Sequence, residues 1–78
     1  MIAQSDVETI RVGSRVRLLD QDGETDFSVV TPEDADPFVG LLSAESPLGR
    51  ALLGRSTAER VNVRAPGGLR VVTVVSIS

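Results

Sequence analysis

Regular alternation of apolar and polar residues in the first third of the chain predicts a β-hairpin. Val16 and Leu18 alternate with arginines, and a second alternating run covers 27–31. Between the two runs lies Asp22-Gly23, a dipeptide that suits the positive φ angles of a tight turn. The pattern indicates two antiparallel strands, each with one face towards a core.

A second hairpin is predicted near the other end of the chain. Val61 and Val63 alternate with polar residues over 59–65, and a Pro-Gly-Gly turn follows at 66–68. The segment 69–78 after this turn is rich in β-branched residues and apolar on both faces. Such a run is typical of a central strand that is covered on each side.

A short helix is predicted between the two hairpins. Ser46 is a suitable N-cap, because its hydroxyl can accept from the free amides of the first turn, and Pro47 suits the first helical position. Gly54 permits the left-handed turn that ends a helix. Residues at helical spacing make one apolar face: Leu48, Ala51 and Leu52. Because about two turns of helix are not stable alone, this face is expected to pack on a sheet.

The remaining segments complete an α+β architecture. The run 31–40 contains two prolines and three acids, which predicts a surface loop with Phe38 folded back onto the core. A short strand over 41–45 leads into the helix. Residues 1–11 are expected to form a linker or flexible N-terminus, so that the domain spans 12–78. The predicted fold is a twisted antiparallel sheet of about five strands partly wrapped around one short helix.

Composition excludes several classes of function. The 78 residues make one domain without cysteine or histidine, so thiolate and imidazole ligands and a histidine base are ruled out. Eight arginines, no lysine and eleven acids give a net charge of −3, which argues against direct binding of nucleic acid. No apolar run has the length of a membrane span, and the first residues lack a signal-peptide pattern. A cytoplasmic protein without cofactors is expected.

Four stretches of the chain together resemble the C-terminal domain of the bacterial Gre transcript-cleavage factors, a domain with an FKBP-like fold. They are VGSRVRLLDQDGE (12–24), FSVVTPEDAD (27–36), LLSAESPLGRALLGRSTAERVNV (41–63) and APGGLRVVTVVSI (65–77). The most specific part is the succession of serine, any residue, acid, serine and proline at 43–47, followed by the apolar helix. Its order relative to both hairpins supports the resemblance.

The resemblance implies a binding role in transcription elongation. Members of this family use the domain to bind RNA polymerase at the rim of its secondary channel, through a coiled-coil element of the largest subunit. The contact residues that the resemblance implies in this chain are Ser43, Glu45 and Pro47, flanked by Ser46 and Leu48. Arg50 is a peripheral candidate for the same contact. A monomer that contacts neither nucleic acid nor membrane is expected.

One departure from the family affects the expected activity. Complete Gre factors carry an N-terminal antiparallel coiled coil whose acidic tip holds the catalytic magnesium ion, whereas no heptad precedes Val12 here. The chain by itself is therefore expected to bind without stimulating transcript cleavage, and not to be an enzyme. Two interpretations stay open: an excised docking domain, or a stand-alone relative that competes with Gre factors for their site.

Other functions are compatible with parts of the pattern. A general protein-interaction or homodimerisation module of the same fold, using an open sheet edge, is the alternative. A prolyl isomerase is disfavoured, because its pocket needs several aromatic walls and the chain offers only Phe27 and Phe38. Ser43, Glu45 and Pro47 also have structural roles at a strand end and a helix start, where the helix dipole favours a first-turn acid.

The remaining charged residues are interpreted as solvated. Acids on the first hairpin suggest a magnesium or calcium site, but alternate strand residues face opposite sides and no calcium-loop pattern is present. These acids are Asp20, Asp22, Glu24 and Asp26. A second group of acids is interpreted first as part of a solvated loop, with steering of a basic partner as the alternative: Glu33, Asp34 and Asp36. Strand arginines are expected to pair weakly with nearby acids: Arg15, Arg17, Arg60 and Arg64.

Overall fold

Five strands and one short helix make up the part of the chain that the computed structural model describes, residues 8–65 and 67–78. The elements are β1 (Arg15–Asp20), β2 (Gly23–Val30), β3 (Leu41–Ser43), α1 (Pro47–Leu52), β4 (Arg60–Ala65) and β5 (Gly68–Ile77). Two 3-10 turns connect β2 to β3, Pro32–Asp34 and Pro37–Val39. The strands form one sheet in the order β3-β2-β1-β5-β4, which confirms the predicted α+β class. Among the described residues, no helix is long and apolar enough to cross a membrane.

Both predicted hairpins form at the predicted turns. β1 and β2 pair antiparallel down to Asp20 opposite Gly23. Gly23 has a φ of +115°, a backbone angle that glycine adopts without steric cost. β4 and β5 pair antiparallel down to Ala65 opposite Gly68. Pro66, in the predicted second turn, lies outside the described residues.

The third strand departs from the expected antiparallel arrangement. β3 pairs parallel with β2, with Ser28 opposite Leu41 and Val30 opposite Ser43. The predicted loop 31–40 contains the two 3-10 turns, which carry the chain back to the start of this pairing. Parallel neighbours need such a crossover connection rather than a tight turn. The sheet is therefore mixed, and β3 ends at Ser43, before its predicted end.

The core lies between α1 and the inner face of the sheet. Leu52 is fully buried, and Leu48 and Ala51 pack half-buried against the core, which confirms the predicted apolar face of the helix. α1 packs mainly on β4 and also contacts β3, so the sheet curls to bring both of its edge strands to the helix. The buried apolar residues are Ile10, Val16, Leu18, Val29, Ala44, Leu52, Val61, Val63, Val72 and Val74.

The predicted stop signal lies just beyond the helix. α1 ends at Leu52, and the N–H of the C-cap residue Leu53 donates to the carbonyl of Gly49 (3.1 Å). Gly54 follows with a φ of +83°, in the left-handed region that favours glycine. The chain therefore leaves the helix where the sequence predicts.

Two expectations about burial are wrong. β5 does lie inside the sheet, but only one of its faces is covered: Val72 and Val74 are buried, whereas Val71 is 45 % exposed. The reason is that the helix covers the inner face alone. Phe38 is 97 % exposed instead of folded onto the core, because the 3-10 turn that carries it is closed by its own hydrogen bonds and holds the ring away from the sheet.

The packed part of the chain begins before residue 12. Ile10 is 2 % exposed, its N–H donates to the carbonyl of Arg55 (2.9 Å), and its carbonyl accepts from the N–H of Gly54 (2.8 Å). The core thus includes one residue of the segment 1–11 that was predicted as a linker. Most of that segment, residues 1–7, lies outside the described residues.

Candidate functional site

The junction between β3 and α1 is fixed by hydrogen bonds among its own residues. The carbonyl oxygen of Ser43 accepts from the N–H of Ser46 (3.1 Å) and from its hydroxyl (2.7 Å). The hydroxyl of Ser43 accepts from the N–H of Glu45 (3.1 Å). Ala44 is buried, and its N–H donates to the carbonyl of Val30 (2.8 Å). Local side-chain bonds of this kind hold the backbone in one conformation, so the outward-facing groups keep fixed positions.

The start of α1 follows the sequence prediction. Ser46 is the N-cap, and its side-chain oxygen accepts from the N–H of Gly49 (3.0 Å). Pro47 occupies the first turn, where its missing N–H leaves nothing unsatisfied. Gly49 is buried, and a Cβ built at this position would overlap the carbonyl oxygen of Ser43. The helix therefore lies very close to the end of β3, a tertiary contact that the local pattern does not indicate.

The six predicted contact residues all lie at this junction and differ in exposure. Glu45, Pro47 and Arg50 are exposed, whereas Ser43, Ser46 and Leu48 are half-buried. Glu45 lies directly before the N-cap and not in the first helical turn, so its predicted role as a first-turn acid is wrong. Within the described ranges its carboxylate has no hydrogen bond or ion pair. The structure thus has no evident use for the Glu45 side chain.

A groove of about 210 Å³ opens beside the start of the helix. Its walls are mainly apolar and come from β3, α1, β4 and β5. The lining residues are Leu42, Ser46, Pro47, Leu48, Val63, Arg70 and Val72. The sequence marks Val63 and Val72 as core positions, but periodicity cannot show that the core opens to the surface between two edge strands. The groove was therefore missed from the sequence.

The acids of the first hairpin make structural contacts. Asp26 accepts from Arg17 (Nε to Oδ1, 2.8 Å), and this bond holds the pKa of its carboxyl below the ordinary value. Asp20 accepts from the N–H of Asp22 (2.8 Å) and from Arg70 (Nη2 to Oδ2, 2.6 Å). The pKa of Asp20 lies below its ordinary value, mainly because of the hydrogen bond from the N–H of Asp22 and secondly because of the bond from Arg70. Across residues 8–65 and 67–78, no three acidic side chains are grouped as a metal site would require.

The four strand arginines differ in how they are paired. Arg17 forms the predicted ion pair, with Asp26. Arg15, Arg60 and Arg64 are exposed, and no ion pair involves them in the described part of the chain. The exposed arginines thus leave positive charge on the sheet surface.

Comparison with known proteins identifies the family. Residues 4–78 match the family described as "Transcription elongation factor, GreA/GreB, C-term". The transcription elongation factor GreA of Thermotoga neapolitana is 43 % identical over 75 residues, which cover 96 % of this chain and 48 % of that protein. The chain spans about half the length of the curated relatives it matches.

Solved structures share the whole fold of the chain. GreA factor homolog 1 (Gfh1) of Thermus thermophilus superposes with a TM-score of 0.80 at 31 % identity, covering 100 % of this chain and 54 % of that one. Gfh1 of Thermus aquaticus gives a TM-score of 0.82 at 30 % identity, covering 99 % of this chain and 52 % of that one. The resemblance found in the sequence is therefore confirmed.

Proposed function

The chain belongs to the GreA/GreB family of transcription elongation factors, whose C-terminal domain it matches, and on this premise we propose that it docks on bacterial RNA polymerase through the β3–α1 junction. The contact residues are Ser43, Glu45, Ser46, Pro47, Leu48 and Arg50. The site on the enzyme is the coiled-coil element of the largest subunit at the rim of the secondary channel, as the family resemblance implies. Docking there would place the domain in the cytoplasm.

The single observation that carries the proposal is that some residues of the junction hold its backbone by hydrogen bonds, whereas others are exposed to a partner. The hydroxyls of Ser43 and Ser46 are used in local hydrogen bonds: that of Ser43 accepts from the N–H of Glu45, and that of Ser46 donates to the Ser43 carbonyl and accepts from the N–H of Gly49. Glu45 and Pro47 are exposed. A surface that is already rigid loses little conformational entropy when a partner binds, which favours affinity.

The groove beside the helix start supports the same surface. Pro47 and Leu48 line it together with the β3 residue Leu42. Protein interfaces typically combine a desolvated apolar centre with a polar rim. Here the groove supplies the apolar part, and Glu45 and Arg50 supply exposed charges near its edge. A partner side chain that enters the groove would bury apolar surface on both molecules.

The proposed mechanism is association rather than catalysis. The chain has no histidine and no cysteine, so it has neither an imidazole base nor a thiol nucleophile. Because the chain spans about half the length of its relatives, we assign to it the docking step alone. Cleavage stimulation is assigned to the part of those relatives that the chain does not cover.

Binding to RNA polymerase tests the proposal directly. The chain has no lysine, so an amine-reactive fluorophore labels its α-amino group alone. The labelled protein is titrated with purified bacterial core RNA polymerase, and the fluorescence anisotropy gives Kd. The double variant Glu45→Ala with Pro47→Ala is expected to weaken binding beyond detection, because it removes two of the three exposed contact residues. Its midpoint of thermal unfolding is expected to stay near that of the wild type.

A charge-matched control separates the site from a general effect of charge. Glu24→Ala removes one exposed carboxylate on β2, away from the junction, and is expected to leave Kd unchanged. If the double variant binds with the wild-type Kd, the site assignment is wrong. If the wild-type protein itself does not bind the enzyme, the proposed function is wrong.

A further inference from the structure

The most exposed large apolar side chain of the described residues lies on the second 3-10 turn. Phe38 is 97 % exposed, and its neighbour Val39 is 67 % exposed. Single exposed apolar residues are common on protein surfaces and need no explanation by themselves. Phe38 differs because it is one of only two aromatic residues in the chain, and because hydrogen bonds hold the backbone that carries it.

The turn that carries Phe38 is held by a closed set of hydrogen bonds centred on Asp36. The carboxylate of Asp36 accepts from the N–H of Phe38 (3.1 Å), and its carbonyl accepts from the N–H of Val39 (3.1 Å). Asp36 and Leu41 exchange two backbone hydrogen bonds (2.9 and 3.0 Å) at the start of β3. Phe38 is thus presented on a pre-ordered tip, and binding it would cost little backbone entropy.

Charge is strongly segregated along the chain and across the sheet. Residues 18–49 hold eight acidic side chains and no arginine, whereas residues 50–78 hold five arginines and one acid. In the sheet order, β3 and β2 lie at one edge, and β5 and β4 lie at the other. We use "acidic edge" for β3 and the two 3-10 turns that precede it. Phe38 lies on the acidic edge, close in sequence to Glu33, Asp34 and Asp36.

We infer that Phe38 is a second contact with RNA polymerase, inserting into an apolar hollow that lysine or arginine side chains border. The inference rests on the proposed function. Phe38 precedes the short strand β3, and the junction Ser43–Arg50 begins at the last residue of that strand, so a partner that docks on the junction would also lie against the acidic edge. Acids beside the ring match a basic border and disfavour phosphates of nucleic acids and anionic lipids. An aromatic anchor in a pocket is the usual centre of binding energy in protein interfaces.

The anisotropy titration described above tests this inference with two single variants. Phe38→Ala is expected to raise Kd at least about tenfold, equal to about 1.4 kcal/mol. Because the ring is 97 % exposed, the midpoint of thermal unfolding is expected to be unchanged. The matched control is Leu69→Ala, which truncates a 69 % exposed apolar side chain on β5, away from the acidic edge, and is expected to leave Kd within about twofold of the wild type.

Association kinetics test the charge argument separately. The double variant Glu33→Gln with Asp34→Asn is expected to slow association severalfold at low ionic strength and to leave dissociation nearly unchanged, because exposed charges act mainly on encounter. An unchanged association rate would contradict a basic border around the hollow. The same rate measured at high salt serves as the internal control, since screening removes the effect.

The outcomes distinguish the inference from the proposed function. If the junction variant loses binding while Phe38→Ala keeps the wild-type Kd, the second contact is wrong and the docking function stands. If the wild-type protein does not bind, both are wrong. Sedimentation of the free protein gives one further outcome: a dimer that Phe38→Ala dissociates would assign the ring to a second copy of this chain and overturn the inference.

Discussion

Truncation of Leu52 tests the packing of the helix on the sheet most sharply. Leu52 is 0 % exposed, whereas the next residue, Leu53, is 38 % exposed at the helix C-cap. Replacement of a buried leucine by alanine costs about 2–5 kcal/mol, depending on how far the surroundings collapse into the space. The core around Leu52 consists largely of valines on strands. Their β-branched side chains are restricted at χ1, so they have little freedom to fill a gap.

We therefore expect Leu52→Ala to fall in the upper half of that range, at about 3–5 kcal/mol. A domain of 78 residues has a total free energy of unfolding of about 4–12 kcal/mol at the usual value per residue. The variant should then lose a large share of its stability. At about 4–8 °C per kcal/mol for a domain of this size, its midpoint of thermal unfolding should fall by at least about 12 °C.

Urea unfolding followed by far-ultraviolet circular dichroism measures the effect, since the chain has no tryptophan or tyrosine to serve as a fluorescence probe. With a slope of about 1 kcal/mol per molar urea, the midpoint for Leu52→Ala should drop by about 3–5 M or the protein should be unfolded throughout. Leu53→Ala is the matched control and should cost about 1 kcal/mol or less. Equal midpoints for the two variants would refute the packing of α1 on the sheet.

Two further predictions concern hydrogen bonds that stabilise the fold. Ser46→Ala removes the acceptor for the N–H of Gly49 and should lower the free energy of unfolding in urea by about 1–2 kcal/mol. Ser76→Ala, on the exposed surface of a strand, should change it little. Equal effects of the two variants would contradict the N-cap role. The pKa of Glu59 lies below its ordinary value of 4.5, because its carboxylate accepts from the N–H (2.7 Å) and hydroxyl (2.8 Å) of Ser56. The ionised form thus stabilises the folded state above the unfolded pKa, and this contribution is lost as the pH falls through the folded pKa. Glu59→Gln should therefore be less stable than the wild type at pH 7, with the difference vanishing in acid; a difference that persists in acid would refute this.

Features that depend on neighbouring residues were predictable from the sequence. The turn at Gly23 and the helix start at Ser46 and Pro47 are set by side chains within about four positions of the affected backbone groups. The core strands were predictable for a similar reason, because strict alternation places every second residue on one face. These signals do not depend on which element packs against which.

Features that depend on the arrangement of distant elements were not predictable. The parallel pairing of β3 requires the two 3-10 turns to carry the chain back across the strand end, and no residue in 31–40 specifies that path alone. Both faces of β5 carry valines, so the sequence does not show which face is left exposed to solvent. Phe38 was assigned to the core because it is apolar, although the bonds around Asp36 hold it in water. In each case the tertiary arrangement decided what local composition left open.

The β3–α1 junction allows structure and binding to be separated experimentally, because different side chains serve each. Ser46 is bonded on both sides, to Ser43 and to Gly49, so its replacement should lower stability as well as change the docking surface. Glu45 and Pro47 are exposed, so their replacement should affect docking with little effect on stability. If binding falls in proportion to stability for the variants at every position, the junction supports the fold and has no separate role in docking. Loss of binding confined to Glu45 and Pro47 requires a partner that contacts them.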